Sequence, residues 1–146
     1  MAGLIMDKFL LLYKLTEDLN NSGFKARILI QKPKSNPLIE VLKGGKRIYV
    51  VICEAGTKPA KYKDIVFCGI SPLIQSKIDI EQTYVVILDF QPARPKYILV
   101  KLDDVNYRRN KIDYLIFHFK RPEYGGFFNT ENLTELTNEI QRTMSS

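Results

Sequence analysis

A chain of 146 residues, 45% hydrophobic and 26% charged, suits one globular domain spanning 1–146 and is too apolar to be disordered. No apolar run approaches the length of a membrane span, and a single histidine with two separated cysteines excludes a zinc-type cluster. The net charge of +6 favours anionic partners.

The start, MAGLIMDKF, carries Asp7 and Lys8 and has no basic leader or small-residue cleavage site, so an intracellular, cytoplasmic protein without a membrane partner is expected. Residues 4–22 read as an amphipathic helix, with Ile5, Phe9, Leu12, Leu15 and Leu19 at helical spacing and Gly23 at its end. Phe24 to Gln31 alternates as a strand, and Lys32 to Pro37 is a loop broken by two prolines. Leu38 to Leu42 and Arg47 to Cys53 make two strands joined by a tight turn at Lys43-Gly44-Gly45-Lys46. Ile48 to Cys53 is apolar on both faces, as a strand covered on two sides should be.

Gly56 to Lys63 is a basic loop. Asp64 to Gln82 is ambiguous and reads as irregular helix around Leu73 to Ile80, with Pro72 in the first turn. Strands follow at Thr83 to Phe90, Lys96 to Leu102 and Lys111 to Phe119, with a basic loop at Tyr107 to Lys111 able to add phosphate contacts. Asn129 is placed to cap a last helix, whose stripe is Leu133, Leu136, Ile140 and Met144. Cys53 and Cys68 sit in apolar surroundings and read as buried free thiols. His118 has no Ser or Cys motif to serve and reads as non-catalytic. Gly125-Gly126, between Tyr124 and Phe127-Phe128, either folds its rings onto the core or exposes them for base stacking or a protein partner. The class is α/β (α+β), a central mixed sheet flanked by helices.

The charge is concentrated. Between Lys25 and Lys63 ten basic residues face only Glu40 and Glu54, a local excess of +8, while the rest of the chain sums to −2. Such a segment, on strands and turns, attracts phosphate backbones by releasing their counterions.

The stretch NPLIEVLKGGKRIYVVICEAG, Asn36 to Gly56, resembles the core hairpin of the restriction-endonuclease-like (PD-(D/E)xK) nucleases. The resemblance implies a core of one helix, a three-strand meander, a second helix and further strands, over roughly residues 4–102. Pro37 takes the motif proline's place, Leu38 falls on the metal-binding aspartate, Ile52 on the acid and Glu54 on the lysine. The frame is present without its catalytic letters, since neither Leu38 nor Ile52 can hold a metal.

The resemblance and the +8 segment together point to a nucleic-acid-binding protein with its metal site lost or altered, which grips DNA through Lys32, Lys34, Lys43, Lys46, Arg47, Lys58, Lys61 and Lys63, with no cofactor. An alternative keeps activity: Glu40 and Glu54, with Lys58 or Lys61 from the loop and Glu17 as a third carboxylate, form a shifted Mg²⁺ site for an endonuclease. Ordinary salt bridges to the nearby lysines compete with that use of Glu40 and Glu54. A further shift to Asp89 and Lys101 would need an acid where Leu99 stands. A third reading is a protein-interaction module or subunit of a larger DNA-processing complex, with a second copy of the chain or another protein as partner.

Overall fold

The computed structural model describes residues 7–56, 65–89, 96–120, 126–127 and 130–145. It opens with helix α1 (Lys8–Asn21), where the Asp7 side chain accepts the Leu10 amide at 2.8 Å and so satisfies one of the free donors of the first turn. Gly23, at φ +93°, reverses the chain into strand β1 (Lys25–Ile30). An antiparallel meander follows, with β2 (Leu38–Lys43) between β1 and β3 (Lys46–Glu54). After β3 come β4 (Ile65–Ile70), a single helical turn α2 (Pro72–Gln75) and β5 (Thr83–Asp89). Strands β6 (Lys96–Lys101), β7 (Tyr107–Arg109), β8 (Leu115–Lys120) and β9 (Gly126–Phe127) precede helix α3 (Thr130–Ser145).

The strands form two sheets. The main one is mixed, in the order β1-β2-β3-β5-β6-β9; β5 runs parallel to β3, and its other pairings are antiparallel. The second has three antiparallel strands in the order β4-β8-β7. Because side chains alternate along a strand, β3 and β5 feed two cores at once. Ile48, Val50, Ile52, Val86 and Leu88 pack against Leu11, Leu12, Leu15 and Leu19 of α1 and Leu136, Ile140 and Met144 of α3. Val51, Cys53, Val85 and Ile87 pack against Val66, Cys68, Ile70, Leu115 and Phe117 of the second sheet and Ile74 of α2. Each fully buried leucine or isoleucine stabilises the fold by about 1.5–3 kcal/mol. The main sheet therefore has a helix side and a sheet side. Among the described residues, no helix is long and apolar enough to cross a membrane.

The expected mixed sheet with helices is the architecture observed, as α+β. The expected irregular helix over Leu73 to Ile80 reduces to α2 and a 3-10 turn at Ile80–Gln82, and β4 stands where the sequence pattern predicts no strand. The expected Tyr107 to Lys111 loop contains β7, and the strand expected from Lys111 begins at Leu115. Ile5, the Gln91 to Pro95 turn, Asn129 and the rings of Tyr124, Phe127 and Phe128 lie outside what is described. The cause of the miss is physical: in β4, Val66, Cys68 and Ile70 point into the core while Phe67 and Ile65 point away. Apolar residues on both sides erase the period-two signal.

Candidate nucleic-acid interface

The β2–β3 turn is the geometric anchor of the basic surface. Gly44 and Gly45 have φ of +57° and +81°, two consecutive positive values that a two-residue hairpin turn requires and that glycine adopts without strain. The turn sets the register Lys43↔Lys46, Leu42↔Arg47 and Glu40↔Tyr49, while β1 adds Lys25↔Leu42 and Arg27↔Glu40. Directly opposed residues share a face. Lys25, Leu42 and Arg47 thus form one row across three strands and Arg27, Glu40 and Tyr49 the next, on the sheet side beyond the cover of β4 and β8. Lys43 and Lys46 flank the turn on the helix side, with Lys43 Nζ 4.7 Å from the centre of the Phe24 ring. All five cations are exposed.

Glu40 sits among them, 7% exposed. Arg27 Nη2 lies 2.9 Å from one of its oxygens and Arg47 Nη1 lies 3.6 Å from the other. The arginine side chains keep 69% and 52% of their surface in solvent, so the carboxylate orients both guanidinium groups without withdrawing them from an incoming anion. Arg47 also donates to the Tyr49 hydroxyl at 3.3 Å.

The structure brings together only part of the expected surface. Lys43, Lys46 and Arg47 cluster at the turn. Lys32 and Lys34 are exposed in the loop at the opposite end of β1 and β2, a six-residue strand or roughly 20 Å away. Lys58, Lys61 and Lys63 lie outside the described residues. Lys25 and Arg27 join the cluster through cross-strand pairing. The alternation in Lys25-Ala26-Arg27 signals their shared face, but only the β1–β2 register carries them next to Arg47.

The expected metal-sharing carboxylates do not converge. Glu40 points to the sheet side and Glu54, two residues beyond Ile52, follows the helix-side alternation at the far end of β3. Glu40 is opposite Tyr49, five residues from Glu54, which is about 16 Å along the strand. Glu17 is exposed on α1, away from both. Glu40 is moreover occupied by two arginines, the ordinary salt-bridge role. Among the described residues no group of three or more His, Cys, Asp or Glu is placed to hold a metal. The nuclease frame itself also divides: Leu38 is opposite Val51 in the sheet-side core, whereas Ile52 belongs to the helix-side core.

What stands at the motif's position is a staple between the sheets. Asn36 accepts the Ser71 amide at 2.9 Å and donates to the Gly69 carbonyl at 3.0 Å and to Cys53 Sγ at 3.3 Å. Ser35 and Ser71 share a hydroxyl–hydroxyl hydrogen bond at 3.0 Å, and the Pro37 carbonyl accepts the Ile52 amide at 3.1 Å. Burial, then the nearby Cys68, push the Cys53 thiol well up against the lowering effect of the Asn36 contact, which fits an inert core thiol. Replacing Asn36 by alanine strands a half-buried amide and a carbonyl together, and is expected to lower the unfolding free energy by about 2–3 kcal/mol in urea titration. A loss below about 0.5 kcal/mol would show that the staple is solvated and incidental.

No family model matches this chain, and no curated protein or solved structure does either.

Proposed function

We propose that the protein binds nucleic acid, gripping the phosphate backbone of duplex DNA through the turn end of the β1–β2–β3 meander. The observation that carries the reading is a terrace of five exposed cations at the turn end of the meander, Lys25, Arg27 and Arg47 on its sheet side and Lys43 and Lys46 on its helix side, with Glu40 held by the two arginines. Phosphate recognition needs several exposed cations on a firm support, and strands with a glycine turn supply one. The restriction-endonuclease-like resemblance adds support at the level of layout: a helix, an antiparallel three-strand meander and a crossover containing α2 lead to a strand parallel to β3. Among its described residues the crossover departs from that layout by carrying β4, with a single turn of α-helix and a 3-10 turn in place of a full helix.

The test is the salt dependence of binding to a short duplex, followed by fluorescence anisotropy. Five phosphate contacts predict a slope of log K against log salt near about −4.5, at roughly −0.9 per contact. A slope shallower than about −2 would remove the terrace as a backbone grip.

A further inference from the structure

We infer that the outward face of the second sheet seats an unpaired base of a nucleic-acid strand, a reading that rests on the function proposed above and gives it a second contact surface. In β4 and β8 the core takes Val66, Cys68, Ile70, Leu115 and Phe117, which leaves Phe67, Gly69, Ile116, His118 and Lys120 facing out. An outward strand face is ordinarily polar. Here Phe67 is 39% exposed and pairs across the strands with exposed His118, their ring centres 5.6 Å apart and tilted by 33°. Next to them Gly69 interrupts the wall of side chains. A Cβ at Gly69 would meet Tyr114 Cδ2 at 3.5 Å and Ile116 Cγ2 at 3.8 Å, ordinary contact distances, so no steric demand keeps this position bare.

The gap opens a cleft of about 410 Å³, within the size range of small-ligand sites. Its walls include Phe67, His118, Ile116 and, from β7, Tyr107 and Arg108. Arg108 is exposed and opposite Ile116 in register, on the outward face, whereas Tyr107 is opposite the core residue Phe117 and only borders the cleft. Lys120 stands on the same outward face two residues beyond His118. Exposed rings beside a guanidinium and an ammonium suit a flat base attached to phosphates. A base still stacked in a duplex has no free face to offer, so the strand must be unpaired there. Among the described residues Glu54 is the one carboxylate lining the cleft, and the cations on the rim select an anionic strand over an acid-poor apolar peptide.

The experiment uses the full chain and a short oligothymidylate carrying one 2-aminopurine, read by its fluorescence and by anisotropy, with a duplex measured in parallel. Quenching of 2-aminopurine on binding is expected. Gly69→Val, which fills the cleft without removing a ring, and His118→Ala should each abolish the quenching and weaken single-strand binding about five- to hundredfold, leaving duplex affinity within about twofold. Arg108→Gln, on an exposed edge strand, serves the same purpose should Gly69→Val fail to give a cooperative thermal melt. Quenching that survives in these variants, or an equal loss for both substrates, would overturn the inference. Duplex binding without quenching in the wild-type chain would sink this site and leave the terrace standing; binding of neither substrate would sink both.

Discussion

Neutralising Lys46 and Arg47 together, as Lys46→Gln plus Arg47→Gln, is expected to weaken duplex binding about thirtyfold at about 0.15 M salt. Two lost phosphate contacts reduce the log–log slope by about 1.8, and extrapolation from 1 M to about 0.15 M salt converts that slope into this factor. The variant should fold normally. Lys46 and Arg47 are exposed, and Glu40 retains Arg27 at 2.9 Å when Arg47 is gone. Glutamine also avoids placing a new carboxylate beside Glu40. The matching control removes the same net charge elsewhere: Lys14 and Lys77 are exposed outside the terrace, and Lys14→Gln plus Lys77→Gln should change affinity by less than about threefold. Equal losses in the two variants would mean that net charge alone attracts the DNA and that the terrace has no special place. Anisotropy titrations over a series of salt concentrations read both the factor and the slope.

How far the sequence foretells this arrangement depends on which physical signal each element carries. The glycine pair between two apolar runs marks the hairpin because a two-residue turn demands positive φ, and Gly44 and Gly45 supply it. The leucine stripe of α1 and the Leu136, Ile140 and Met144 stripe of α3 follow the helical period and pack as that period implies. β4 and β7 are less legible. β4 is apolar on both sides because its outward face carries Phe67, and β7 is three exposed residues paired with β8. The charge excess is plain in the sequence, but its shape is not. Linear proximity groups Lys32 and Lys34 with Lys43 and Lys46, whereas the meander sends them to opposite ends and brings Lys25 and Arg27 to Arg47 instead. The same limit governs Glu40 and Glu54. Each shares a face with its own neighbour two residues away, but which faces of β2 and β3 coincide is decided by the turn register, and that register separates them.

Writing the missing nuclease letters into the hairpin should therefore unfold the protein rather than create an enzyme. Leu38 and Ile52 are both fully buried, on opposite sides of the main sheet. Leu38→Asp gives up the roughly 1.5–3 kcal/mol of leucine burial and places an acid where no hydrogen-bond partner awaits it, a further cost of about 2–7 kcal/mol. Ile52→Glu carries a comparable penalty. Either one consumes a large part of the roughly 5–15 kcal/mol by which a domain is typically stable, and the pair, at about 7–20 kcal/mol, is of the size of the whole. Circular dichroism melts should show the double variant unfolded at room temperature, with no Mg²⁺-dependent nicking of supercoiled plasmid. Leu38→Met, which conserves volume, should cost less than about 1.5 kcal/mol and shows that the site tolerates change of shape but not of polarity. The pH dependence gives a second readout. Burial raises the folded-state pKa of the new Asp, so the protonated acid is the form the core tolerates, and the extra instability of Leu38→Asp relative to wild type should shrink as pH falls from about 7 towards 4. A folded double variant that cleaves DNA with Mg²⁺ would place the two side chains on one face and overturn the register on which the terrace is built.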